Sequence, residues 1–203
     1  MSEPTHRLAT DTDDGVLVVF SGPSGVGKTT IARAVERDIP AALFSVSVTT
    51  RAKTPDDVDG VDYHFVDEAA FRDMIDRDAL LEWATVFGRY YGTPRAWVDE
   101  QLRRGRVVIA DIDVEGARQV KARMPDAMAI FVLPPSEDDL LARLRARKRE
   151  DEAAIQRRFA EAKREIATAR ESGCYDHFIV NESLGDAIAE AIALVRAARA
   201  RRG

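Results

Sequence analysis

The stretch Gly22-Pro23-Ser24-Gly25-Val26-Gly27-Lys28-Thr29 fits the pattern G-x-x-x-x-G-K-[ST] and is followed by Thr30. A loop of this kind turns backbone N–H groups inward on a phosphate chain, sends a lysine to the outer phosphates and offers a hydroxyl oxygen to Mg2+. Lys28 and Thr29 fill those roles here. A pair of carboxylates, Asp111 and Asp113, closes the apolar run Val107-Val108-Ile109-Ala110 and so lies at a strand's carboxyl end, where α/β sheets hold ligands. Arginines supply the opposite charge: Arg51 after Ser47-Val48-Thr49-Thr50, and Arg143, Arg147 and Arg158 on two basic helical stretches. Two polyphosphate chains repel each other, and planar guanidinium forks placed where they meet suit bidentate phosphate binding. A phosphate acceptor is already largely ionised at neutral pH and needs no base, so positioning and charge neutralisation carry such a transfer.

The elements that must hold these residues follow from the apolar pattern. Val16-Leu17-Val18-Val19-Phe20 reads as a strand entering the glycine-rich loop, and Ile31, Ala32, Ala34 and Val35 keep helical spacing behind it, which opens the loop onto a helix N-terminus. Leu43 to Val48 reads as one strand. Residues 47–94 then depart from the β-α-β rhythm. They hold a polar loop from Ala52 to Gly60 and a strand at Tyr63-His64-Phe65-Val66. Asp67 is the expected N-cap of a helix that buries Phe71, Met74 and Ile75, and strands are expected at Leu80 to Trp83 and Tyr90 to Gly92. The rhythm returns with a helix from Arg95 to Arg104, a stop at Gly105, the strand ending at Asp111, a helix to Met124 and a strand from Ala129 to Leu133. Ser136 and Asp139 have capping-box spacing before the first basic helix. A second basic helix spans Asp151 to Glu171, and Phe178 to Val180 makes a last strand. The closing helix carries Ile188, Ile192 and Val195, with Arg196 to Arg202 placed to complement its dipole. The expected fold is α/β: a parallel sheet with helices on both faces, an acceptor-binding insertion and a helical lid.

With 203 residues, 45% of them apolar, the chain suits one domain, residues 15–203, behind a loose polar tail at residues 1–14. Its core is expected at residues 15–46, 95–135 and 172–203, the insertion at 47–94 and the lid at 136–171. A formal charge of −5 is no footprint of nucleic-acid binding, so phosphate recognition is local. No stretch approaches membrane-spanning length, and the lone Cys174 reads as a packing residue in a reducing, cytoplasmic compartment. The base-reading N-K-x-D of regulatory GTPases and the L-S-G-G-Q-like signature of transporter ATPases are both missing from the sequence, which leaves a small phosphotransferase.

Several longer stretches resemble the guanylate kinase family, a P-loop NTPase fold, along nearly the whole chain. They are S-G-P-S-G-V-G-K-T at Ser21 to Thr29, S-V-S-V-T-T-R at Ser45 to Arg51, G-V-D-Y-H-F at Gly60 to Phe65, L-E-W-A at Leu81 to Ala84, Y-Y-G-T-P at Tyr90 to Pro94 and D-I-D-V-E-G at Asp111 to Gly116. The resemblance implies ATP + GMP ⇌ ADP + GDP with Mg2+, with dGMP as a further acceptor, in purine nucleotide metabolism and GMP recycling. It implies no nucleic acid, membrane or obligatory protein partner, and a monomer or homodimer. By matching positions, Gly22 to Thr30 would bind ATP. Ser47, Glu82 and Thr93 would touch guanine, while Arg51, Tyr63 and Tyr91 would hold the GMP phosphate, with Asp57 beside them. Asp111 and Asp113 would border the acceptor and the Mg2+ held by Thr29, in part through water. Lys28, Arg51, Arg143, Arg147 and Arg158 would be catalytic.

The guanine assignment also has chemistry of its own. A carboxylate at Glu82 accepts from guanine N1–H and the 2-amino group together, whereas adenine has an acceptor at N1 and no 2-amino group. Leaving a buried carboxylate unpaired by the wrong base is costly, and sites of this kind discriminate by about 10⁴. Two departures from the family pattern stand out: Thr54 holds a position where a basic residue is expected, with Lys53 one place early, and Arg147-Lys148-Arg149-Glu150 replaces R-G-[TS]-[ED]. Two other readings remain open from the sequence: a P-loop kinase for another phosphorylated acceptor, and a non-catalytic binding module of guanylate-kinase fold.

Overall fold

The computed structural model describes residues 15–40, 42–86, 88–146 and 151–202. The expected tail at residues 1–14 and the stretch from Arg147 to Glu150 lie outside them. In chain order, β1 (Val16–Ser21), α1 (Lys28–Asp38) and β2 (Ala42–Phe44) are followed by β3 (Val48–Thr49), β4 (His64–Phe65), α2 (Glu68–Asp76), β5 (Leu80–Val86) and β6 (Arg89–Pro94). Then come α3 (Arg95–Arg103), β7 (Val107–Asp111), α4 (Val114–Arg123), β8 (Met128–Leu133), α5 (Glu137–Ala146), α6 (Glu152–Ser172), β9 (His177–Val180) and α7 (Leu184–Ala200).

Strands β2-β7-β1-β8-β9 form one parallel sheet in that order. Every residue of β1 and β8 is buried, because helices cover both faces of the sheet. Alternation along the strands sorts the core into two layers. Val16, Val18, Phe20, Ile109 and Ile130 pack with Ile31 and Val35 of α1 and Ala191 and Val195 of α7. Leu17, Val19, Val108 and Phe131 pack on the other side with Val98 of α3, Ala117 and Val120 of α4 and Ala169 of α6. The loop after β1 therefore emerges at the carboxyl edge beside the end of β7, where the strand order reverses.

The run from Leu43 to Val48 is two strands, not one. Ser45 N–H still donates to Ile109 O at 2.8 Å, and the chain then leaves the parallel sheet, so that β3 pairs with β4 and β6 in a second sheet of order β4-β3-β6-β5. Alternation in sequence is blind to such a change of partner, since pairing is decided by distant residues. The second sheet packs Val48, Leu80 and Phe71 of α2 against Trp83 and Tyr90, with Phe71 and Tyr90 stacked at 5.2 Å. Asp67 caps α2 by accepting from Ala70 N–H at 2.7 Å. At the end of α3, Gly105 N–H and Arg106 N–H return to Leu102 O and Gln101 O at 2.9 and 3.0 Å, which closes the helix where the sequence places a stop.

Helices α5 and α6 share a small core of their own, built on Leu140, Leu144, Ile155 and Ala162. Ser136 Oγ accepts from Asp139 N–H at 3.0 Å at the start of α5. The arginines closing α7 reach other elements of the fold instead of only facing the helix end. Arg196 pairs with Asp38 at 2.6 Å, and Arg202 donates to the backbone of Gly15 and of Asp126. Among the described residues, no helix is long and apolar enough to cross a membrane.

Candidate active site

A cleft of about 670 Å³ runs from the loop after β1 to the second sheet. One end is walled by Gly22, Pro23, Ser24, Gly25, Gly27, Lys28, Thr29 and Thr30 and the other by Ser47, Tyr63, Glu82 and Tyr91, with Asp111 and Asp113 between them and Arg158 on the α6 side. Val26 is fully buried beneath the loop, and its carbonyl accepts from Asn181 Nδ2 at 2.8 Å. Gly27 has φ +93°, and a Cβ there would stand 2.6 Å from that same Asn181 nitrogen, so left-handed backbone and close approach both require glycine. Helix α1 begins at the next residue, and its first three residues, Lys28, Thr29 and Thr30, line the cleft.

Asp111 ties the loop's two functional side chains together. Its Oδ1 pairs with Lys28 Nζ, and its Oδ2 accepts from Thr29 Oγ1 at 2.6 Å. Asp113 lines the cleft too, while its Oδ1 caps α4 by accepting from Gly116 N–H at 2.7 Å. Thr29 and Asp111 offer hard oxygen donors at one point beside the phosphate loop, the donor type Mg2+ takes alongside nucleotide phosphates.

Glu82 is 4% exposed, on β5 opposite Thr93 of β6. Its Oε1 accepts from Thr93 Oγ1 at 2.6 Å. Burial pushes its carboxyl up to about 7, the Thr93 hydrogen bond pulls it back down, and the Asp113 charge adds to the rise. Thr93 thus stands behind Glu82, outside the cleft wall. Tyr63 and Tyr91 meet edge to face at 5.7 Å, and the Arg51 guanidinium lies 5.1 Å from the Tyr63 ring.

Arg51 is held from behind. Asp57 takes its fork with both oxygens at 2.9 Å, and Asp57 Oδ2 also accepts from Thr54 N–H at 2.6 Å and Thr54 Oγ1 at 2.7 Å. The Arg51 fork and the Thr54 donors hold the Asp57 carboxyl well below the usual range. Thr54, where the family pattern has a basic residue, therefore closes a loop on Asp57. Asp57 braces Arg51, and neither residue lines the cleft wall. Of the lid arginines, Arg143 and Arg158 are described. Arg158 donates to Ser24 Oγ at the mouth of the loop, and Arg143 donates to Asn181 O at 2.8 Å. Arg147 lies outside the described residues.

Several wall residues gain no role from the sequence pattern. Ala84 and Val86 continue β5 along the cleft, and Glu161 and Glu165 face it from α6. Burial raises the Glu165 carboxyl to about 7, Lys28 opposes that rise, and Glu161 and Asp113 add to it. Asn181, 5% exposed, backs the phosphate loop. A charged residue on an amphipathic helix reads as solvated face, so the sequence holds no signal for Glu165. A lone asparagine after an apolar strand is the one available cue for Asn181.

Comparison with known proteins gives the family. A family model described as guanylate kinase matches residues 15–198. The chain is 48% identical over 187 residues to a guanylate kinase of Symbiobacterium thermophilum, covering 92% of this chain and 87% of the relative. It is 44% identical over 188 residues to one from Myxococcus xanthus, covering 93% and 89%. Among solved structures, the guanylate kinase of Anaplasma phagocytophilum superposes with a TM-score of 0.73 at 31% identity, covering 91% of this chain and 86% of that one.

Proposed function

The chain belongs to the guanylate kinase family, and from that premise we propose how its residues carry phosphoryl transfer from ATP to GMP. The enzyme is an ATP:GMP phosphotransferase, and dGMP is a second acceptor. One wall of the cleft is chemically singular: a carboxylate almost wholly out of water, Glu82, faces the same cavity as the phosphate loop. That observation supports guanine as the base it reads, because N1–H and the 2-amino group present two donors to its two oxygens. Ser47 orients the base edge, and the Thr93 hydroxyl orients Glu82.

In this reading Gly22 to Thr30 wrap the ATP phosphates and Lys28 leaves Asp111 for the outer phosphates. Arg51, fixed by Asp57 with its guanidinium 5.1 Å from the ring of the wall residue Tyr63, reaches the GMP phosphate from beside the cleft, together with Tyr63 and Tyr91. Arg143, Arg147 and Arg158 approach on the lid at residues 136–171, against the acceptor segment at 47–94. Mg2+ would sit on Thr29 and Asp111, with Asp113 through water, and when bound it neutralises charge on the phosphates. The protein residues bind, align and exclude water; no side chain has to take a proton from the acceptor. The buried free thiol of Cys174 fits a reducing cytoplasm.

A panel of nucleoside monophosphates with ATP and Mg2+ tests the reading. ADP release should require GMP or dGMP. Equal turnover with AMP, CMP and UMP would overturn the role of Glu82.

A further inference from the structure

Helix α4 carries a glycine in its first turn, Gly116, at a buried position where alanine would be the better helix former. Its backbone does not demand glycine, since Gly116 is absent from the residues with positive φ. The reason is space. A Cβ at this position would stand 2.6 Å from Glu82 Oε2 and 3.2 Å from Glu82 Cδ, with Asp113 Oδ1 at 3.3 Å.

Something would have to yield to that methyl group, and the surroundings decide what. Asp113 is held to the helix start by the Gly116 N–H itself, at 2.7 Å. The helix cannot slide outward freely, because Gln119 of α4 grips the β5 backbone: Nε2 donates to Trp83 O at 2.8 Å and Oε1 accepts from Trp83 N–H at 3.1 Å. The β5 strand is in turn paired with β6. What remains movable is the Glu82 carboxylate, which would have to turn off Thr93 Oγ1, its partner at 2.6 Å.

We propose that Gly116 is a positioning residue for acceptor recognition: the space left by its missing side chain is the seat of Glu82 Oε2, and it fixes the plane in which the carboxylate meets the base. The proposal rests on the reading of Glu82 as the guanine-binding group. Two parallel hydrogen bonds need both carboxylate oxygens in the plane of the base edge. A carboxylate turned by a neighbouring methyl presents one oxygen, so affinity for GMP and preference over AMP fall together. The phosphate loop lies between β1 and α1, and the three atoms nearest a Cβ at Gly116 belong to Glu82 and Asp113, none of them to the loop.

The test is Gly116→Ala in the full-length enzyme, alone and combined with Glu82→Ala. With the seat filled, KM for GMP should rise about tenfold or more, the loss expected for one charged hydrogen bond, while KM for ATP stays within about twofold. Thermal unfolding of the parent, the two single variants and the double variant reads the contact itself. Gly116→Ala should lower Tm in the parent and not in the Glu82→Ala background, where nothing occupies the seat. An unchanged KM for GMP in Gly116→Ala overturns the proposal, and so does an equal loss of Tm in both backgrounds. Glu82→Ala alone separates the two ideas: a raised KM for GMP there upholds the guanine reading, so a failure of Gly116→Ala then counts against the seat only.

Discussion

Replacing Glu82 by glutamine should stabilise the empty enzyme above neutral pH and cripple it as a GMP kinase. Burial raises this carboxyl from its ordinary 4.5 to about 7. A shift of that size corresponds to about 3 kcal/mol between the two protonation states. The sign follows from proton binding. Below pH 4.5 the carboxyl is protonated in both the folded and the unfolded chain, and the raised value costs nothing. Between pH 4.5 and 7 the unfolded chain gives up the proton first, so stability falls as pH rises, and the loss is complete above pH 7. Glutamine keeps an oxygen for Thr93 and carries no charge to desolvate. Unfolding midpoints at pH 5 and pH 8 should therefore show Glu82→Gln gaining on the parent with rising pH. The gain at pH 8 is at most about 3 kcal/mol, and each kcal/mol moves Tm by about 2–4 °C in a chain of this size. In the same variant kcat/KM for GMP should drop by about 10² or more, because an amide cannot accept from both guanine donors. A difference in Tm that stays constant from pH 5 to pH 8, or full activity with GMP, would refute the reasoning.

Three further substitutions probe the rest of the site. Lys28→Ala should lower kcat by about 10²–10³ with little change in Tm, checked by steady-state kinetics and calorimetry, since it removes one preorganised charge from the phosphates. Asp57→Asn should raise KM for GMP about tenfold and leave KM for ATP unchanged, because Arg51 loses the carboxylate that fixes its fork at 2.9 Å. Asn181→Leu leaves the carbonyl of Val26 without its 2.8 Å donor and should cost about 1–3 kcal/mol, read from urea unfolding, together with weaker ATP binding.

The parallel core is legible because each of its strands is a short apolar run followed by a helix of 3.6-residue period, and the glycine-rich loop marks which strand end carries the phosphates. Asp67, Gly105 and Ser136 are legible for a similar reason: capping is local chemistry within a few residues. What a linear pattern does not convey is partnership over distance. The switch of sheets between Phe44 and Val48 is decided by β7 on one side and by β4 and β6 on the other. Family matching puts Asp57 in the acceptor site, yet its carboxylate is spent on Arg51 and Thr54, a division visible only once the loop from Arg51 to Asp57 is closed. It gives Arg143 to the phosphates and is silent on the bond its guanidinium donates to Asn181 O, 38 residues away in sequence. Glu82 can be picked out as a carboxylate between Leu81 and Trp83; its burial and its seat against Gly116 depend on a helix that begins about thirty residues later.

The most direct measurement is a crystal structure with GMP in the cleft. Both Glu82 carboxylate oxygens should lie within about 3.2 Å of guanine N1 and of the 2-amino nitrogen, with the phosphate turned toward Arg51, Tyr63 and Tyr91. A base that faces solvent, or one that sits in the cleft with Glu82 still bonded only to Thr93, would contradict the assignment of this wall as the guanine reader.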